Sequence, residues 1–220
     1  MSSKILPLFM LFSALLLLWI GVPRFLAELM LVPGTPIYER ISSGETVTDE
    51  ELDVLQQSRE QSIGFVDKPR SYTDLGLVYI LRAHRTTDAA EKKAFALKAI
   101  EQLETGLALA PVATFAWARL ASACLIAGPE HSEKAVKAWR TSVALANFEP
   151  FIFLSRNHIG INLYKDLSEE DRQTLRDQVE LTYNWNRGKL RRYARDNGLV
   201  EWIAFLLYAQ PEKAQWISAK

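Results

Sequence analysis

The sequence predicts an all-α protein in which one N-terminal transmembrane helix precedes a set of packed helix pairs. Three observations carry that prediction. From Ile5 to Val22 there are eighteen residues without a charge, which as a helix cover about 27 Å, close to the hydrocarbon thickness of a bilayer. Beyond Thr48 no stretch alternates apolar and polar residues for long enough to make a strand. One pattern of bulky, aliphatic and small residues recurs three times between Tyr72 and Leu163.

Bulk composition sets the outer limits. The chain has 220 residues, 49% of them hydrophobic, with 26 Lys+Arg against 26 Asp+Glu. Zero net charge excludes a uniformly basic nucleic-acid binder, and the apolar content excludes wholesale disorder. A single cysteine, Cys124, excludes an intramolecular disulfide framework and a multi-cysteine metal site. The zero is a sum of unlike parts: residues 25–104 carry nine bases and fourteen acids, residues 105–220 fifteen and twelve.

The first element is the anchor, residues 1–32. Pro7 falls in its first turn, Trp19 near the far end suits a membrane interface, Pro23 marks an expected kink, and Arg24 and Glu28 stand four apart as a pair. A cleaved signal needs small residues before the cut. Cutting after Gly21 or Ala27 puts Trp19 or Phe25 at the outer small-residue position, so the segment reads as an uncleaved signal-anchor. Lys4 and the amino terminus lie on one side and Arg24 on the other, a shallow charge asymmetry. Single-span logic places the chain in a bacterial inner membrane with its C-terminal domain in the periplasm. Pro33, Gly34, Pro36, Ser42, Ser43 and Gly44 then read as a linker over residues 33–47, leaving 48–220 as the helical domain.

Thr48 and Glu51 form a capping box, and Asp49 and Glu50 fill the first turn of a helix over 49–62. Capping explains the acidic run from Glu45 to Asp53 without a carboxylate metal site. Further helices are predicted at 70–85, 88–109, 112–127, 130–146, 151–164, 168–196 and 198–209, and Pro211 opens a short last one. Three of them share a pattern: Tyr72-x2-Leu75-Gly76-x2-Tyr79, Trp117-x2-Leu120-Ala121-x2-Cys124 and Arg156-x2-Ile159-Gly160-x2-Leu163. The small residue lets a second helix approach closely while the aliphatics line one face. Partner helices follow, with Ala99, Leu103 and Gly106 before Pro111, and Ala135 and Trp139 before Pro150; each proline lies six residues before the next bulky position.

From about Arg70 to Arg195 the chain thus resembles a tetratricopeptide-repeat (TPR) array, two units clear and a third degenerate. Spacings of 45 and 39 residues between bulky positions exceed the usual 34. The resemblance implies a protein-binding scaffold whose first helices line a concave surface. Its geometry nominates Arg70, Thr73 and Leu77, then Phe115, Ala118 and Ser122, then Leu154, Asn157 and Ile161 as groove residues. Those side chains suit an amphipathic helix laid in the groove, or equally packing against the helix at 49–62 or the C-terminal helices. The Lys/Asn/Arg clamp that some TPR proteins use on a peptide carboxylate is missing.

Arg187, Lys189, Arg191, Arg192 and Arg195 form a basic cluster in which Arg187, Arg191 and Arg195 share a helix face. It suits an anionic polysaccharide, a lipid headgroup or an acidic partner, or else a solvated face near a helix end. Nucleic acid is not expected. His84, His131 and His158 lack metal-ligand spacing and no phosphate loop is present, so no catalytic residue, metal or cofactor is assigned and no enzyme activity is expected. The function predicted is a membrane-anchored helical-repeat adaptor with protein partners in an envelope complex. Its layout is similar to small accessory proteins of bacterial exopolysaccharide biosynthesis or export. The alternatives are an assembly factor or accessory subunit of a membrane enzyme complex, such as a respiratory one, and a peripheral enzyme.

Overall fold

A computed structural model describes residues 5–219, with side chains from Pro7 onward. Lys4, on which the orientation argument leans, lies outside the described residues. The helices are α1 Ile5–Leu31, α2 Thr35–Ser43, α3 Asp49–Ile63, α4 Pro69–Arg85, α5 Ala89–Leu109, α6 Thr114–Ala127, α7 Ser132–Leu145, α8 Phe153–Asn162, α9 Glu169–Asp196, α10 Val200–Leu206 and α11 Pro211–Ser218. No strand occurs among the described residues, as the lack of alternation predicts.

The helices form where capping and periodicity place them. Thr48 Oγ1 accepts from the Glu51 N–H and Glu51 reaches back to the Thr48 N–H (2.8 Å), completing the predicted capping box. Asp88 and Ser168 cap α5 and α9 through the N–H groups of Glu91 and Asp171. Helices α4 and α5, α6 and α7, and α8 and α9 pack as pairs, and α6 also touches α4 on one side and α8 on the other, making an inner layer. Small residues make the close approach possible: a Cβ on Gly76 would sit 2.4 Å from Leu103 Cγ, and one on Gly160 2.6 Å from Leu175 Cδ1. The middle unit uses fully buried Ala121 at the same place. One core runs through the pairs, with Leu103, Cys124, Trp139, Leu175 and Leu190 at its centre. Ile37, Val47, Leu52, Leu55 and Val78 form a smaller one at the N-terminal end.

Three local expectations change. The segment 33–47, read as a linker, carries α2. Its prolines and glycines are the ends of that helix rather than breaks in the chain: Pro36 sits in the first turn and Gly44, at φ 85°, closes the last. Between them Ile37 is buried and Tyr38 and Ile41 pack around the smaller core. Helix α1 continues through Pro23, and its expected Arg24–Glu28 pair is replaced: Arg24 donates to the Ile20 carbonyl (3.0 Å), while Glu28 pairs with Lys68 at the start of α4. Finally, α9 is two helices joined at Asn186, whose backbone is extended (φ −159°, ψ 83°). The Asn186 side chain accepts from the Lys189 N–H (2.9 Å), so it caps the second half.

Candidate partner-binding groove

The inner helices enclose an open groove of about 1150 Å³. Leu77, Ile80 and His84 come from α4; Phe115, Ala118, Arg119, Ser122, Leu125 and Ile126 from α6; Ser155, His158, Ile159 and Asn162 from α8. Tyr38, Ile41 and Ser42 of α2 wall one end, and Tyr193 and Asn197 at the end of α9 wall the other. The floor is aliphatic. The charge around it comes from Arg119 and Lys92, and no described lining residue is Asp or Glu.

The predicted groove residues divide by unit. Leu77, Phe115, Ala118 and Ser122 line the groove as the repeat geometry implies. Arg70 lies at its rim, with its guanidinium 5.4 Å from the centre of the Tyr38 ring. Thr73 is buried, its hydroxyl donating to the Arg70 carbonyl (3.0 Å). The third unit departs from the expectation: Leu154 packs on the core, Ile161 is buried in it, and Asn157 is buried donating to Thr182 Oγ1 of α9 (2.8 Å). Ser155, His158 and Asn162 take the groove positions instead, one residue and so about 100° around the helix. The physical reason is Arg156. Its guanidinium turns fully inward, donating to the Ser142 carbonyl (3.0 Å), the Ala146 carbonyl (3.0 Å) and Gln178 Oε1 (3.1 Å), which fixes the rotation of α8. Burial lowers its pKa to about 10.

Two features of the groove were not read from sequence. At the α9 end, His158 Nδ1 and the Tyr193 hydroxyl share a hydrogen bond (2.9 Å) with His84 and Lys92 nearby. Burial lowers the pKa of both histidines, and Lys92 and His158 push His84 down further, so both are neutral at neutral pH. At the α2 end, Asp74 of α4 is buried against Arg59 of α3 (3.0 Å), with Arg119 at 3.8 Å and Arg70 at 3.9 Å. Arg119 also donates to the Tyr38 hydroxyl (3.0 Å) and the Thr73 carbonyl (3.1 Å). Arg59 Nη1 in turn donates to the Leu31 carbonyl at the end of α1 (3.2 Å). Desolvation outweighs these cations and raises the Asp74 pKa. An acid inside the apolar face of a predicted helix was the available signal, since a buried carboxylate requires a cation.

The basic cluster is placed against α11. Arg187 and Arg191 each lie 4.9 Å from the centre of the Trp216 ring, on successive turns of the second half of α9. Arg195 donates to the Ala219 carbonyl (2.5 Å), as does Arg191. Lys189 stacks over Trp185 at 5.5 Å, and Arg192 is exposed. The shared face of Arg187, Arg191 and Arg195 is therefore a seat for the last helix. Among the described residues no group of three or more His, Cys, Asp or Glu side chains is arranged to hold a metal ion.

A solved structure of a thermophilic TPR protein from Thermus thermophilus superposes on this architecture with a TM-score of 0.54, covering 88% of this chain and 92% of that one at 14% identity. The fold is TPR-like. No protein-family model matches the sequence, and no curated protein matches it significantly. The helix-pair organisation between Arg70 and Arg195 thus has a structural counterpart at a sequence distance where only the fold carries over. Helix α1 is long and apolar enough to cross a membrane by length and composition.

Proposed function

We propose that the protein is a membrane-anchored scaffold whose TPR-like groove holds an amphipathic helical segment of a partner protein in a bacterial envelope complex. The observation that carries this reading is the groove's composition: an aliphatic floor between Leu77 and Ile159, with Arg119 and Lys92 beside it and no described acid in the lining. Such a surface favours a segment with one apolar face and acidic flanks. Helix α1 supplies the membrane attachment, with the helical domain on the periplasmic side. Site-specific photocrosslinking in cells tests the groove. A crosslinker at Ser122 or Ser155 should trap one and the same partner, and one at Glu133 on an outer helix should not. Absence of a groove-dependent product overturns the reading.

The complex we assign is one of polysaccharide biosynthesis or export, on the layout of anchor, short repeat array and Arg-rich late helix. The genomic neighbourhood tests this: genes for glycosyltransferases and a polymerase beside this one are the expected result. Oxidoreductase genes overturn it in favour of an accessory subunit of a respiratory complex.

A further inference from the structure

The helix pairs carry their connections on two opposite edges, and the edges differ in chemistry. On one edge lie the α3–α4, α5–α6 and α7–α8 connections, because α4, α6 and α8 all start there. These connections expose Phe65, Val112 (74%), Phe148 (58%) and Phe151 (87%), the last where the edge meets the groove. On the other edge lie residues 86–88, 128–131 and 163–168, rich in Thr, Asp, Glu and Lys. None of those contributes an exposed large apolar side chain.

The apolar edge is the one from which α1 leaves. Leu31 accepts a hydrogen bond from Arg59, and about one turn earlier Glu28 pairs with Lys68 beyond the end of α3. Helix α1 therefore runs antiparallel to α3, and its N-terminal part continues past the α3–α4 connection. Ala27 is fully buried, whereas Leu8, Trp19 and Phe25 are among its exposed apolar side chains. The exit is not a loose tether. Gly34 approaches α3 so closely that a Cβ there would lie 2.2 Å from Ser58 Oγ and 2.8 Å from Arg59 Nη1. The same edge holds Trp185, at the end of the first half of α9, with its ring 5.9 Å from Phe153 and Lys189 over it. Of the other exposed aromatics outside α1, Phe115 lines the groove, and Trp202, Phe205 and Tyr208 belong to the opposite end, where Trp202 and Phe205 pack on Tyr164 after α8.

We propose that this edge rests on the same bilayer that α1 enters, with Val112, Phe148, Phe151 and Trp185 at headgroup depth and Lys189 toward lipid phosphates. The proposal rests on the reading of α1 as a membrane span. Aromatic side chains favour the boundary between hydrocarbon and water, and cations beside them favour anionic headgroups. A bilayer is the occupant that accounts for the arrangement, because separate connections and the end of the first half of α9 present apolar tips on the side where a clamped apolar helix leaves the domain.

The full chain in vesicles of equal parts phosphatidylethanolamine and phosphatidylglycerol provides the test. Cys124 is fully buried and its thiol is pushed up to about 12, so it stays unlabelled. Single reporters are introduced as Leu16→Cys in α1, Val112→Cys and Phe151→Cys on the apolar edge, and Thr87→Cys and Lys165→Cys on the polar edge. Each carries an environment-sensitive fluorophore, read against vesicles doped with headgroup-level spin-labelled lipid. Emission at 112 and 151 should fall by about half or more, as expected for side chains several Å into the interface, with 87 and 165 unchanged. If position 16 is quenched by acyl-chain spin labels while 112 and 151 behave like 87 and 165, the edge contact is overturned and the anchor stands. If position 16 is not quenched by them, the anchor itself fails and the edge contact falls with it.

Discussion

Two guanidinium groups are buried at opposite ends of the array, and the two ends accommodate them differently. Arg59, at the N-terminal end, is 2% exposed and meets Asp74, which is 1% exposed. Arg156, at the C-terminal end, is fully buried and meets only neutral oxygens: two carbonyls, the Ser142 hydroxyl and the Gln178 amide. The first arrangement places two opposite charges out of water, and each depends on the other for its solvation. The second places one charge among dipoles, so its removal strands no countercharge. The difference teaches where each end is brittle. The Arg59 node joins the end of α1, α3, α4, α6 and, through Tyr38, α2, so the α1 end and the groove share one set of contacts. The Arg156 node fixes only the rotation of α8 between α7 and α9.

The largest effect should come from separating the first pair. Arg59→Met leaves Asp74 buried without its nearest cation and should cost about 3–5 kcal/mol, whereas Arg59→Met with Asp74→Leu should recover most of that loss. Urea unfolding of the full chain in mild detergent measures both, and a double variant as unstable as the single one breaks the contrast. Arg156→Met should cost less, about 2–3 kcal/mol, because what is lost is hydrogen bonding to neutral acceptors. An equal or larger loss at Arg156 would show that the neutral oxygens are the more dependent partners.

Backbone approach sharpens the comparison at a smaller scale. Gly34→Ala and Gly160→Ala each introduce a Cβ where none fits, 2.2 Å from Ser58 Oγ and 2.6 Å from Leu175 Cδ1. Each should destabilise by about 1–3 kcal/mol in the same unfolding assay. Only Gly34→Ala should also raise the protease sensitivity of the α1–α2 junction.

The smallest effect is a pH dependence of unusual sign. Burial raises the Asp74 pKa, so the folded protein binds that proton more tightly than the unfolded chain does. Its contribution is fully present below the unfolded pKa and is lost as pH rises through the folded one. Asp171 behaves oppositely. Its bond from Arg140 lowers its pKa, so its contribution is present above the unfolded pKa and lost as pH falls through the folded one. Replacing Asp74 by Asn should therefore remove a stabilisation seen on acidification, and replacing Asp171 by Asn should remove a loss. Urea midpoints across the acid range check both slopes.

Much of this architecture was legible before any coordinates. The capping box at Thr48 and Glu51 and the spacing of Leu75-Gly76 and Ile159-Gly160 are local codes, read within one or two helical turns. Of the nine nominated groove positions, Leu77, Phe115, Ala118 and Ser122 lie in the groove lining, as the phase of intact repeats implies. Helix α2 was missed because Pro33, Gly34, Pro36 and Gly44 mark helix ends as well as linkers, and only the burial of Ile37 distinguishes the two. The break in α9 had a local signal in Asn186, three residues before the N–H it caps, but the run of helix formers around it hid that signal.

What the chain by itself determines depends on neighbours in sequence: most of the helical segments, the capping box that opens α3, the apolar face of the intact repeats, and that Ile5–Val22 is long enough to span a bilayer. Only the tertiary structure decides how those faces turn. Arg156 rotates α8 away from the repeat register because its acceptors lie on α7, on α9 and in the α7–α8 connection. Trp216 claims the arginine stripe because α11 folds back from beyond Tyr208. The apolar connections come to lie on the edge where α1 leaves because Arg59 and Lys68 hold that helix from α3 and the start of α4. Each outcome joins residues well beyond one helical turn of each other, and a hydrogen bond or a ring contact across such a separation exists only once the helices have packed.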